Sequence, residues 1–374
     1  MNRLSFIIIL GLSVFTAAAQ QKKDYYKGLP VLYSNTDTLT ISVGDYRSKG
    51  WIVSPHLEKD SLNFSSLLPM EAKFISEKDS ISFMTGPGQS HHFYVKAGNK
   101  DYAYTVIYNR TTISNLKYSN KKNKEDSLSF LFDKNYAALP YFLQLREQYP
   151  IDSCIAVSKD DASRVLNLLH WVHLQWKHDG GRSPKKDDAI SILEEVIEGK
   201  GFPCFAYAEV LRAALNSVGI PTRRLALKTK DVETQQYASG HVVNEVWLRD
   251  QKKWVFVDPQ EDVMPYLDGK PLNAVEFQKA ITHHMNELEL KSLSTISKPE
   301  YLDFVYPYLF YFDSAFDQRY GATTKKMVDG KTSLMLVPLG SGNPSKAGFY
   351  SNQLINYCIY TNALKSFYKK PLLN

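Results

Sequence analysis

Beyond its first twenty residues the chain has no apolar run long enough to cross a bilayer as a helix, which excludes an integral membrane protein of the helical kind. It has no stripe of lysine and arginine interleaved with aromatics either, so nucleic acid is not an expected partner. The formal charge of +6 is a mild excess, scattered apart from the cluster "KYSNKKNKED" at 117–126, which reads as a solvated linker. No internal repeat is evident. Cysteine is scarce, with 3 residues among 374, at positions 154, 204 and 358. An odd number in an oxidising compartment leaves one thiol free or paired between chains. A Cys154–Cys358 bridge would leave Cys204.

What is present is ordinary globular composition, 44% hydrophobic and 13% aromatic, with length for about two or three domains. The first residues have the pattern of a secretory signal. Arg3 precedes the apolar run "FIIILGLSVF", and Ala17 and Ala19 in "TAAAQ" suit cleavage before Gln20. No cysteine follows the cut, which argues against a lipoprotein anchor. Residues 1–19 are therefore expected to be removed, and the protein to be soluble, exported, and periplasmic or secreted.

Residues 24–115 read as a small β-sandwich, with short strands such as "DTLTISVG", "HHFYVKAG" and "DYAYTVIYN" set between turn signals. In the last of these Tyr102, Tyr104, Val106 and Tyr108 alternate with smaller or polar neighbours. His91 and His92 fall on opposite faces of a strand and make poor joint metal ligands. A linker is expected at 116–127, a helix-bearing domain at 128–300 and a β-rich extension at 301–374.

Within 128–300 the period becomes helical. "SKDDASRVLNLLHWVHLQW" opens with Ser158 three residues before Asp161, a loose capping box, and carries an apolar stripe. "DDAISILEEVIEG" follows, closed by Gly199. The third segment is "KGFPCFAYAEVLRAALNSVGIPTR", residues 200–223. Pro203 suits a helix start, Gly201 a sharp approach, and Gly219 with Pro221 a stop. That puts Cys204 at the first turn, where the helix dipole favours a thiolate.

His241 then opens the strand "HVVNEVWL", and Asp258 closes the strand "WVFVDP". A thiol needs a base to become a nucleophile, and the imidazole needs a carboxylate to fix its tautomer. A hairpin centred between Arg249 and Asp250 would set His241 directly opposite Asp258 on one face. Glu245 and Trp247 fall on that same face.

The contexts "KGFPCFAYAEVLRAALNSVGIPTR", "SGHVVNEVWL" and "KKWVFVDP" together resemble the transglutaminase-like superfamily over about residues 160–265. The carrying positions are Gly201 with Cys204, Gly219-Ile220-Pro221-Thr222-Arg223, Gly240-His241 with Glu245-Val246, and Trp254-Val255 with Asp258-Pro259. The resemblance implies an α+β fold: a papain-like transglutaminase core, with the cysteine helix packed on an antiparallel sheet that carries the histidine and aspartate. It implies Cys204 as nucleophile, His241 as general base and acid, and Asp258 as the orienting carboxylate. One departure is Val243, where the family often has an aromatic residue.

The implied chemistry is acyl transfer through a cysteine thioester on protein or peptide amides, with hydrolysis favoured over cross-linking. The backbone N–H of Cys204 can supply one oxyanion donor, and Gln175 or Trp176 is a candidate for another. Trp176, Tyr237 and Glu245 are candidates for lining the substrate groove. No cofactor and no metal are expected. His170 and His173 have no acidic partner spaced with them, and His283-His284 with Glu287 reads as an exposed helical turn. The alternative function is a non-catalytic binding or scaffolding protein that retains the core.

Overall fold

Alternating side chains between residues 25 and 109 build two sheets in the computed structural model, which describes residues 23–121, 128–235, 238–320, 322–349 and 352–373. The expected signal at 1–19 and residues 122–127 of the expected linker lie outside the described residues. The chain divides into two compact units, Met1–Thr112 and Ile113–Asn374. In the first, a five-stranded sheet runs in the spatial order Tyr25–Tyr26, Leu29–Ser34, Ser90–Ala97, Tyr102–Asn109, Asp60–Phe64. A four-stranded sheet runs Tyr46–Ile52, Thr38–Val43, Met70–Ile75, Ser80–Thr85. Leu32, Phe93 and Ile107 of one join Ile41, Phe74 and Ile81 of the other in a single apolar cluster. The Phe74 and Phe93 rings meet edge-on at 5.1 Å. This is a β-sandwich. In the strand Tyr102–Asn109, Ala103, Thr105 and Ile107 fill the core, and the tyrosines are turned outward.

In the larger unit we label the helices that shape the site α1 (Asp161–His173), α2 (Ala189–Ile197), α3 (Cys204–Ser217), α4 (Ala274–His283) and α5 (Lys298–Val305). Helix α1 is capped two residues beyond the expected place. Asp160 accepts from the Ser163 N–H, and the Ser163 hydroxyl accepts from the Asp160 N–H. Ser158 instead accepts from the Asn167 amide. Helices α2 and α3 end ahead of Gly199 and Gly219, at φ of +85° and +77°, where a side chain would be strained.

The main sheet consists of β1 (Thr222–Lys228), β2 (Gly240–Leu248), β3 (Lys253–Val257), β4 (Tyr311–Ala315), β5 (Ser333–Leu336) and β6 (Cys358–Thr361), in the order β3-β2-β1-β4-β5-β6. All its pairs are antiparallel except β5 with β6. The strands beyond residue 300 therefore extend the sheet that carries His241.

Helix α3 lies on this sheet, with Ala208, Leu211 and Leu215 fully buried. Each such leucine stabilises the packing by about 1.5–3 kcal/mol. The Asn244 amide of β2 donates to the Ala208 carbonyl at 2.9 Å and ties sheet to helix. On the other face of β2, Glu245 pairs with Arg223 of β1 at 2.7 Å, both fully buried. Phe130, Trp254 and Phe367 enclose that guanidinium at 4.5–4.6 Å. Among the described residues no helix is long and apolar enough to cross a membrane.

Candidate active site

Cys204 occupies the first position of α3, after Pro203 in extended conformation (φ −77°, ψ 178°). Gly201 is required here for closeness. A Cβ on it would lie 2.4 Å from the Lys177 carbonyl oxygen. That approach seats the turn ahead of Cys204 on the segment after α1. The Trp176 indole and the Asp179 backbone N–H both donate to the Phe202 carbonyl, at 3.1 and 3.2 Å. The Tyr207 hydroxyl, one helical turn past Cys204, closes the clamp on the Trp176 carbonyl at 2.8 Å.

His241 follows Gly240 at the start of β2 and is 3% exposed. Its Nε2 lies 2.8 Å from Oδ2 of the fully buried Asp258. The hairpin register differs from the expected one. Glu245 stands opposite Phe256, and the pairing ends at Asn244 with Val257, so His241 has no partner on β3. A shift of two residues preserves side-chain parity, and the two groups meet diagonally rather than face to face. Burial opposes charge on the imidazole. The Asp258 carboxylate outweighs it, and hydrogen bonds to Asp258 and Cys204 add to the pull, so the His241 pKa is raised to about 10. His241 is thus hydrogen-bonded to a carboxylate and shares a cavity with the Cys204 thiol. The structure brings Cys204, His241 and Asp258 together.

Tyr301 of α5 adds a contact beyond the expected site residues. Its hydroxyl donates to Oδ2 of Asp258 at 3.2 Å, while the other carboxylate oxygen accepts from the Gln260 N–H at 3.1 Å. Phe304 stands edge-on to the His241 ring at 5.2 Å, and Tyr308 lies at 5.9 Å. The signal was present in "YLDFVYPY", where Tyr301, Phe304 and Tyr308 share one helical face at i, i+3 and i+7.

Cys204 is half-buried and opens with His241 on a cavity of about 430 Å³. Leu227, Lys228 and Val232 line it, as do Ala347, Ile355 and Tyr357 from the C-terminal segment. Lys228 is ion-paired with Asp313 of β4. Trp176 and Glu245 do not line this cavity: one clamps the turn before Cys204 and the other holds Arg223. Tyr237 lies outside the described residues. The single indole N–H of Trp176 is committed to Phe202, so it is not poised as an oxyanion donor, while the Gln175 amide spends one of its two N–H donors on the Trp171 carbonyl at 2.6 Å.

The remaining candidates separate cleanly. Cys154 and Cys358 are unpaired thiols, and burial raises the pKa of both. His170 does have an acidic partner, Asp262 at 2.9 Å, and His173 contacts the Gln260 carbonyl at 2.8 Å. Among the described residues no group of histidine, cysteine and carboxylates is placed to hold a metal ion. His91 stacks on Phe83 and His92 contacts the Tyr104 hydroxyl.

Residues 151–259 match the family model described as the transglutaminase-like superfamily. No curated protein matches the chain. Among solved structures it is similar to a TGase (16% identity, 32% of this chain and 30% of that one, TM-score 0.24). It is also similar to calcium-bound LapG of Legionella pneumophila (14% identity, 43% of this chain and 94% of that one, TM-score 0.25). The red sea bream transglutaminase is a third (11% identity, 72% of this chain and 51% of that one, TM-score 0.29). The chain spans less than a third of the length of the first and about half of the third. Over residues 151–259, the segment that contains Cys204, His241 and Asp258, the chain carries a core of the transglutaminase-like superfamily.

Proposed function

We propose that the protein is an exported thiol enzyme that transfers acyl groups from protein or peptide amides to water. The observation that carries this reading is the buried His241, hydrogen-bonded to Asp258 and standing with Cys204 at the wall of one cavity, where the thiol adds to the pull on the imidazole proton. A histidine that only packed would need no such pair. The apolar run and small-residue cut site at 1–19 support export.

His241 holds the proton taken from the Cys204 thiol, and Sγ attacks the amide carbonyl carbon. Negative charge collects on the carbonyl oxygen, near the backbone N–H of Cys204, which as the first residue of α3 has no acceptor one turn back within the helix. His241 then protonates the amide nitrogen, the C–N bond breaks, and an amine or ammonia leaves. The acyl group remains on sulfur as a thioester. Water, deprotonated by His241, adds to the thioester carbon, and the carboxylic acid departs as the thiol re-forms. Asp258 holds Nε2 and balances the imidazolium charge throughout.

The test is incubation of the full chain with casein, following new amino termini, ammonia and incorporation of an added primary amine in parallel. New termini mean peptide-bond hydrolysis, and ammonia without amine uptake means deamidation. Amine uptake exceeding both would overturn the preference for water. Each signal must vanish in Cys204→Ala. Absence of all three, with Cys204 no faster towards iodoacetamide than Cys154, would sink the enzymatic reading in favour of a binding role.

A further inference from the structure

A second cavity, also of about 430 Å³, adjoins the first along Phe205, Ala226 and Val242, which line both. Two of these directly follow Cys204 and His241 in sequence, and the third stands opposite Val242 on β1. The second cavity is basic. Arg212, Arg224, Arg319, Lys325 and Lys326 line it, against Asp313 and Asp317.

The pairings within it leave an imbalance. Arg212 is held in a fork by Glu209 at 2.7 and 3.1 Å, Arg319 takes both oxygens of Asp317 at 2.6 and 2.9 Å, and Asp313 pairs with Lys228. Three cations remain. Arg224 reaches only the already engaged Glu209, at 3.5 Å, and its side chain is 43% exposed. The ammonium groups of Lys325 and Lys326 donate to backbone carbonyls, of Arg319 and Ser129, and among the described residues neither has a carboxylate at ion-pair distance. Burial, joined by repulsion from Lys369, lowers the Lys326 pKa despite Asp317 nearby. A partly enclosed site with uncompensated positive charge attracts and orients an anion.

We propose that this cavity is a substrate subsite that takes an acidic side chain, aspartate or glutamate, a few residues from the amide attacked by Cys204. The assignment rests on the acyl-transfer reading, because it is the shared wall that puts the two cavities on one polypeptide. Arg224 and Lys325 are the specificity-determining residues. Arg224 offers a planar fork to a carboxylate, and Lys325 a mobile point charge at the rim.

Two chloroacetyl peptides test it, identical except for a pair of glutamates or a pair of glutamines near the electrophile, with iodoacetamide as the small reagent. On the full chain the acidic peptide should alkylate Cys204 roughly five- to tenfold faster than the neutral one, and added salt should erode that ratio. In Lys325→Glu, and separately in Arg224→Gln, the ratio should fall towards one. Equal rates for both peptides, with iodoacetamide still labelling Cys204 rapidly and in a His241-dependent way, would overturn the subsite and leave the enzymatic reading standing. Should iodoacetamide find Cys204 inert, the enzymatic reading fails. The subsite is then read by fluorescence anisotropy of a labelled glutamate peptide against its glutamine twin, and equal binding overturns it.

Discussion

Tyr301 donates to the same oxygen of Asp258 that faces His241, the two contacts measuring 3.2 and 2.8 Å. The phenol is fully enclosed, and burial followed by the Asp258 charge drives its pKa well above the ordinary tyrosine value, so it remains a donor at every working pH. It therefore shares the carboxylate charge with the imidazolium. Tyr301→Phe should fold, lose roughly three- to tenfold in the rate of Cys204 alkylation, and move the basic limb of the rate–pH profile upward. The upward shift follows because Asp258, relieved of one donor, attracts the His241 proton more strongly. A purely structural tyrosine would lower the rate or the stability with the limb unmoved. Alkylation rate against pH, with the folded fraction measured alongside, checks this.

His241 also ties stability to pH. Its folded pKa of about 10 stands above the ordinary 6.5, so the folded state binds this proton more tightly than the unfolded chain. The resulting stabilisation is fully present below 6.5 and is lost as the pH rises through about 10. Unfolding by urea at successive pH values across that window should show stability falling by a few kcal/mol, roughly, as the pH rises. In His241→Gln the slope over the same window should be much flatter. A wild-type curve that is level, or rises, would contradict the charged imidazole.

Arg223 and Glu245 make a further prediction, on stability alone. Both are fully buried, and the guanidinium is ringed by Phe130, Trp254 and Phe367. Glu245→Ala leaves a buried cation without its counter-ion and should cost about 3–5 kcal/mol. Replacing both residues together by Met should recover a large part of that loss. Thermal or urea midpoints of the single and double variants decide it. A mild effect of the single variant would mean that the aromatic ring alone neutralises the arginine.

The parts of this architecture written locally in the sequence are the ones that could be read from it. Helix α3 announces itself by Pro203, Gly219 and the apolar spacing between them, and β2 and β3 by their runs of valine and tryptophan. Cys204, His241 and Asp258 were legible because each sits at an element end with a recognisable neighbour. The hairpin register was not, since Lys252 turns the chain at a positive φ of 51° that residue type does not signal. Glu245 shares a strand face with His241, which by itself points it to the groove, yet four residues along β2 that face has entered the core beside Arg223. Non-local placements were out of reach. Nothing near Ala347 or Tyr357 indicates that they wall the Cys204 cavity, because pairing of β5 with β6 at the far edge of the sheet brings that segment in.

Gly201 shows how far from the sulfur the site is positioned. A methyl group there would stand 2.4 Å from the Lys177 carbonyl oxygen and 3.3 Å from the Asp179 Cβ. Neither neighbour is the free end of a flexible chain, so Gly201→Ala must push the turn before Cys204 off the Trp176–Asp179 segment. Both donors to the Phe202 carbonyl would lengthen, and the start of α3 would move with them. The expected cost is about 1–3 kcal/mol, accompanied by a drop in Cys204 alkylation towards the rate of Cys154. Gly199→Ala is the control. It places a side chain at a φ of +85° with nothing within 4 Å, so it strains the backbone and destabilises without touching the clamp. Stability should fall in both variants, and Cys204 reactivity in Gly201→Ala only. Equal loss of reactivity in the two would mean that general destabilisation, and not the seating of this turn on Lys177, controls the thiol.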